Sequence, residues 1–153
     1  MEKFMQEAIK EAKKGMKNNE GGPFGAIIVK DNKIIGRGHN QVILLNDPTA
    51  HAEIQAIRDA CKNINNFSLK GSILYTNCEP CPMCFSAIHW ARIDKVIYCT
   101  SKDEAKKIGF DDSLIYDIIR GKIKDNIDFK QIDIKECINI CEEWDKKEDK
   151  IEY

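Results

Sequence analysis

Residues 72–99 constrain the fold more than any other stretch of the chain. Ser72-Ile73-Leu74-Tyr75-Thr76 reads as a strand and runs directly into Asn77-Cys78-Glu79-Pro80-Cys81-Pro82-Met83-Cys84. A helix follows from Pro82 to Trp90, and Lys95-Val96-Ile97-Tyr98-Cys99 reads as the next strand. Strand, helix and strand with so short a crossover predict parallel pairing and right-handed winding. In such a unit the start of the helix lies at the carboxyl edge of the sheet, where open α/β folds usually hold ligands. Cys81 and Cys84 are three residues apart at that start, so both sulfurs share one face. The free amides and the dipole of the same helix end favour thiolates over thiols.

A second helix start complements the first. Asn46-Asp47-Pro48 predicts one, with Asp47 as the N-cap and Pro48 at the first helical position. Ile54, Ala56, Ile57, Ala60 and Cys61 carry the helix on, and its opening holds His51 and Glu53. Two helix starts that face each other at one sheet edge can share an ion. One imidazole and two thiolates suit Zn²⁺ with its fourth position open to water. Zinc lowers the pKa of such a water to about 7, and the Glu53 carboxylate is the candidate proton carrier. One geometric tension remains. Residues two apart in a regular helix point about 200° apart, so His51 must sit in the first turn and Glu53 must reach the water from beside the metal. Cys78 also leaves an alternative open, because Cys78-x-x-Cys81-x-x-Cys84 with His51 could close a structural Cys₃His zinc site or hold an iron–sulfur cluster.

The rest of the chain completes an α/β/α sandwich. Phe4, Met5, Ala8, Ile9, Ala12 and Met16 recur at three- and four-residue steps, which predicts an amphipathic helix ended by Gly21-Gly22-Pro23. Ala26 to Val29 and Lys33 to His39 predict a hairpin turning at Asp31-Asn32. Asp103 to Gly121 looks helical with breaks at Gly109 and Gly121, and Cys137 to Lys147 predicts a last helix. Ile127, Phe129, Ile132 and Ile134 are read as a fifth strand. The expected architecture is therefore a single domain over residues 1–153, with a mixed five-stranded sheet between helix layers. Seven cysteines, an odd number, and an opening Met1-Glu2-Lys3 without an apolar run predict a cytoplasmic protein with neither signal peptide nor membrane span. A formal net charge of -1 argues against a nucleic-acid partner, which usually meets a basic surface.

His-x-Glu followed by Pro-Cys-x-x-Cys is the signature of zinc-dependent nucleobase deaminases. Beyond it, Gly22-Pro23-Phe24-Gly25-Ala26, Asn40, Asn46 to Ile54, Tyr75 to Cys84, Ala87 to Arg92 and Gly109-Phe110-Asp111-Asp112-Ser113 resemble the bacterial guanine deaminases of the cytidine deaminase superfamily. Pro-Cys-Pro-Met-Cys, Ile-x-Trp-Ala-Arg, Gly-Phe-Asp-Asp-Ser and the closing Glu152-Tyr153 point to guanine, whereas the zinc motif is common to the superfamily. The resemblance implies a cytidine deaminase-like fold and hydrolysis of guanine to xanthine and ammonia. It implies that Asn40 and Asp112 contact the purine, that Phe24 and Trp90 pack on its ring, and that Tyr153 closes the pocket. It also implies a homodimer whose carboxyl-terminal segment is exchanged between subunits. Taken alone, Asn40 equally suits a strand-end turn, Asp112 a helix cap, Phe24 and Trp90 a core, and Tyr153 a frayed end. The alternatives within the superfamily are a tRNA adenosine deaminase and a cytosine deaminase. Outside it, the alternative is a non-catalytic zinc-stabilised binding protein, against which the retained Glu53 speaks.

Overall fold

A computed structural model of the chain describes residues 1–152. Helix α1 (Glu2–Lys17) leads into the hairpin of β1 (Gly25–Lys30) and β2 (Lys33–His39). A short α2 (Val42–Leu45) and the longer α3 (Ala52–Ile64) follow, then β3 (Ile73–Cys78), α4 (Pro82–Trp90) and β4 (Lys95–Thr100). Helices α5 (Lys102–Lys107), α6 (Ser113–Ile119) and α7 (Lys135–Lys146) complete the described chain. The sheet runs β2-β1-β3-β4. β1 is antiparallel to both β2 and β3, and β3 is parallel to β4, as the short crossover requires.

Alternation along β1 sorts the core into two layers. Ile27 and Val29 face α1, where they pack with Phe4, Met5, Ala8 and Tyr75. Ala26 and Ile28 face the other way, into a cluster with Ala52, Ala56 and Ala60 of α3, Leu74 of β3 and Ile88 of α4. The period of two in the strands and of 3.6 in the helices thus gives the three-layer sandwich directly. At the hairpin, Asp31 and Asn32 both take positive φ, 49° and 59°. A two-residue turn of the kind that matches strand twist needs this at both positions, and Asn and Asp tolerate it.

Helix α3 lies unusually close to β2. A Cβ on Gly38 would sit 2.4 Å from both the Ala52 carbonyl oxygen and the Ala56 nitrogen, and one on Gly36 would sit 2.5 Å from the Ala56 oxygen. Alanines on the helix and glycines on the strand let the two backbones approach, which fixes the height of the His51 end over the sheet.

Two expectations are corrected. The helix that carries Glu53 starts at Ala52, not at Asp47-Pro48. Asp47 spends its carboxylate on a local turn, with Oδ1 accepting from the Thr49 N–H at 2.8 Å and from its hydroxyl at 2.7 Å. An Asx turn competes with a helix cap for the same oxygen. The sheet also has four strands among the described residues, not five. Ile127 to Ile134 form no strand, Phe129 is 80% exposed, and β4 is left as an edge. The apolar spacing slips by one between Phe129 and Ile132, so the four side chains share no single strand face.

The Gly38→Ala protein is expected to lose about 1–3 kcal/mol of stability through overpacking against the α3 backbone. A lowered thermal midpoint checks this, and an unchanged midpoint would mean that α3 can lift off β2 freely.

Candidate active site

Two helix caps face each other at the carboxyl edge of the sheet. His51 is the N-cap of α3, with extended backbone angles of φ -70° and ψ 158°. Cys81 is the N-cap of α4, at φ -68° and ψ 170°, and Pro82 opens that helix. Neither side chain makes the usual bond back to its own helix. Both turn to a shared point instead. The His51 Nδ1 lies 3.6 Å from the Cys81 Sγ and 3.6 Å from the Cys84 Sγ. All three ligand atoms lie within 4.8 Å of one another.

These spacings fit zinc. Tetrahedral bonds of about 2.3 Å to sulfur and 2.05 Å to nitrogen place the two atoms about 3.6 Å apart. The donor set, one imidazole and two thiols, is that of a zinc site with one position left open. Electrostatics agree. The hydrogen bond from Cys84, and then His51, pull the Cys81 thiol down to about 4 against its burial. Cys84 is held up by its bond to Cys81 and by burial, so it keeps its proton until a dication takes that proton's place.

The angular tension between His51 and Glu53 disappears in this geometry. His51 is extended rather than helical, so the 200° rule does not apply to the pair. Glu53, in the first turn of α3, is 6% exposed, and its Oε2 lies 3.5 Å from the Cys84 Sγ. Burial raises its pKa, so it holds a proton more readily than a surface carboxylate. Cys78 does not join the ligand cluster. Its Sγ donates to the Ser101 carbonyl at 3.9 Å, which disfavours the Cys₃His and iron–sulfur alternatives.

A cavity of about 380 Å³ opens over the three ligands' side of the sheet edge, within the size range of small-molecule sites. His51, Glu53 and Cys81 line it together with Phe24, Asn40 and Asp112. Asn40 is buried, and its Oδ1 accepts from the N–H groups of Gly22 and Val42, both at 3.2 Å. Asp112 occupies the N-cap position of α6 without making a side-chain cap bond. Burial, and then the Cys81 charge, raise its pKa.

One of the anticipated residues is not brought to this cavity. Trp90 is 68% exposed at the last position of α4 and does not line it. Eight residues of helix separate Trp90 from the cavity-side start, about 12 Å at 1.5 Å each. Phe110 takes the place beside Phe24 instead, edge to face at 4.7 Å between ring centres. Sequence reasoning had Phe110 only as part of the Gly-Phe-Asp-Asp-Ser stretch and gave it no role. Gly109, at φ +96°, turns the chain just before it. Lys102 also lines the cavity and was not anticipated. Tyr153 lies outside the described residues.

Residues 1–100 match the model of the cytidine and deoxycytidylate deaminase zinc-binding region. The chain belongs to this deaminase family. The zinc-binding character of the family agrees with the His51, Cys81 and Cys84 cluster. Among relatives of this deaminase-family chain, the guanine deaminase of Bacillus subtilis (strain 168) is 46% identical, over 99% of this chain and 98% of its own length. The crystal structure of guanine deaminase from Bacillus subtilis superposes with a TM-score of 0.94 over 99% of this chain and 98% of that one. A tRNA-specific adenosine deaminase of Aquifex aeolicus is 48% identical over 63% of this chain and 64% of its own. A structure from a study of tRNA:A34 deaminases superposes with a TM-score of 0.64 at 40% identity, over 66% of this chain and 72% of that one.

Cys84→Ser protein is expected to purify without stoichiometric zinc, because it leaves two strong ligands at most. Cys78→Ser is expected to keep its zinc. Metal analysis of the purified proteins decides it, and metal loss from Cys78→Ser would reinstate the closed site.

Proposed function

We propose that the chain is a cytoplasmic, zinc-dependent aminohydrolase that converts free guanine and water to xanthine and ammonia. Zinc held by His51, Cys81 and Cys84 supplies a water acidic enough to act as a nucleophile at neutral pH. Glu53 is the proton carrier. As the water oxygen bonds to C2, the carboxylate takes one of the water's protons and passes it to the adjacent ring nitrogen. The carboxylate then takes the remaining proton from the hydroxyl now on C2 and delivers it to the amine, so that the C2–N bond breaks, a C2 carbonyl forms and ammonia leaves. Burial raises the pKa of this carboxylate, which favours its accepting a proton, as the relay demands.

The wall residues match a purine that carries both donors and acceptors. The Oδ1 of Asn40 is already engaged by two backbone amides, so its NH₂ end is the group that can donate to the base. The Asp112 carboxylate, spared from capping α6, accepts from purine N–H groups. On its six-membered ring guanine offers such donors at N1 and at the exocyclic amine, whereas adenine offers only the amine there. A site built around such donors rejects a base that leaves its polar groups unpaired. Phe24, with Phe110 beside it, supplies the aromatic surface.

The likeness to guanine deaminase over the whole chain is the observation that supports guanine over adenosine in tRNA. The likeness to the tRNA:A34 deaminase structure covers a smaller share and fits less closely. The balanced charge of the chain also favours a small base over an RNA partner. A cytosine deaminase and a non-catalytic zinc protein are weaker readings, the latter because Glu53 would have no task. No helix among the described residues is long and apolar enough to cross a membrane.

The proposal includes a homodimer with exchanged carboxyl-terminal segments, the chain otherwise being one domain. Helix α7 buries none of its residues against its own chain, and Ile138, Ile140 and Trp144 are exposed on it. The apolar stretch 127–134 and the edge strand β4 both lack a cover. A second copy supplies each with the other's surface. Exposed Trp90, and Tyr153 at the end of the tail, then serve the pocket across the interface.

Purified protein is expected to convert guanine to xanthine, read by ultraviolet absorbance and released ammonia. Turnover of adenosine in a tRNA anticodon arm, with none of guanine, would overturn the reading. Glu53→Ala is expected to keep its zinc and lose turnover, and loss of the metal as well would show that Glu53 has another role. Removal of Tyr153 is expected to weaken guanine turnover far more than it lowers the thermal midpoint. A truncated protein with unchanged kinetics would make the tail end a bystander.

A further inference from the structure

Asn77 is the last residue of β3 before Cys78, and the cavity does not include it. Its side chain reaches to the segment that precedes β1. The Asn77 Oδ1 accepts from the Gly25 N–H at 2.8 Å, and its Nδ2 donates to the Pro23 carbonyl at 2.9 Å. One amide thus grips the chain on both sides of Phe24, which does line the cavity. The grip extends further. The Phe24 carbonyl accepts the Asn40 N–H at 3.0 Å, so Asn40 hangs from the same short segment. At the other end, the Asn77 carbonyl accepts from the Thr100 hydroxyl at 2.8 Å, which locks it to β4. From Asn77 the chain runs through Cys78-Glu79-Pro80 to Cys81.

We propose that Asn77 is a positioning residue that fixes the purine-binding wall, Phe24 and Asn40, at a set distance from the metal-binding stretch. The inference rests on the assignment of Phe24 and Asn40 to the purine. Phe24 and Asn40 come from one part of the chain and Cys81 and Cys84 from another, 41 or more residues later. The sheet registers their backbones, but the segment 18–24 lies outside any strand, and although Asn40 and α2 bond to it, no ladder ties it to β3. The Asn77 amide takes the place of that ladder. Asparagine is suited to it because its amide offers one acceptor and two donors in a plane. Aspartate has the same shape and offers acceptors only, so it would keep the Gly25 bond and face the Pro23 carbonyl with a second oxygen. Serine has one hydroxyl on a shorter stem and can replace one bond of the two. Misplacement of a bound base by about 1 Å can cost a factor of 10² in the chemical step.

The test is the series Asn77→Ser, Asn77→Ala and Asn77→Asp, measured for zinc content, thermal midpoint, and kcat and KM on guanine. Asn77→Ala is expected to keep its zinc, with kcat lowered about tenfold or more and KM moved less than about threefold, because the base still binds but lies off line. Asn77→Ser is expected to fall between wild type and Asn77→Ala, and Asn77→Asp to be at least as impaired as Asn77→Ala. A residue that merely filled space would give the opposite order, with the isosteric Asp nearest to wild type. The penalty of Asn77→Ala is also expected to shrink in a Phe24→Leu background, since the clamp acts through Phe24. An Asp variant with wild-type kcat, a loss of kcat in step with a loss of zinc, or penalties that multiply with Phe24→Leu would each overturn the proposal. Should Asn77→Ala not fold, the order of the Ser and Asp variants decides. Should the wild-type protein turn over another amino-base and not guanine, the guanine reading falls, and the same order of kcat on that base still decides the role of Asn77.

Discussion

Everything in this molecule turns on two helix N-termini brought face to face. A helix start leaves backbone N–H groups without partners, and a polar N-cap side chain normally satisfies one of them. Here both caps, His51 and Cys81, are turned from that task to a common point 3.6 Å apart, with Cys84 one turn into its own helix. The positive ends of two dipoles then converge on one spot. Such a place suits thiolates, and it suits a developing negative charge on a reacting oxygen. The same N-cap geometry frees Glu53. Only because His51 is extended can residues two apart reach one site, one as a ligand and one as a buried acid.

Convergence of this kind demands that the helices be held rigidly. α4 is held by the short crossover between the parallel strands β3 and β4. α3 is held by contact so close that glycine must stand at positions 36 and 38 of the facing strand. Side chains there would lift His51 away from the cysteines. The small residues of α3, Ala52, Ala56 and Ala60, are therefore part of the metal site in a physical sense, although none of them touches it.

Much of this was legible in the sequence, and the gaps have physical causes. Parallel pairing of β3 and β4, the ligand triad and the Glu53 position follow from local spacing, because strand, helix and cap chemistry act over a few residues. The true start of α3 is not legible, because Asp47 and Pro48 have the chemistry of a helix start and the same Asp47 oxygen serves an Asx turn equally well. Trp90 lies a helix length from the cavity of its own chain, so the place at the pocket that the resemblance implies depends on a second copy. The place of Phe110 is not legible either, because its contact with Phe24 spans 86 residues of sequence and no local pattern reports it. The missing fifth strand has a local cause. Ile127, Phe129, Ile132 and Ile134 have the residue types of a strand, but the step of three between Phe129 and Ile132 breaks the alternation a strand needs.

Metal chemistry and substrate choice are consequently written in different ways. The floor of the site is compact in sequence and bound by coordination geometry, so it has little freedom to change without losing the ion. The wall is assembled from residues 24, 40, 110 and 112, carried on loops and short helices. Loops tolerate change far better than packed elements, so one zinc floor can serve different bases when the wall alone is altered. The wall must still be registered to the floor within a fraction of an ångström, and a loop cannot do that unaided. Hydrogen bonds from the rigid side supply the registration: the Asn77 amide to the segment around Phe24, and the Phe24 carbonyl on to Asn40. On the proposed assignment of the wall to the base, altering specificity means altering the wall while keeping the bonds that tie it to β3.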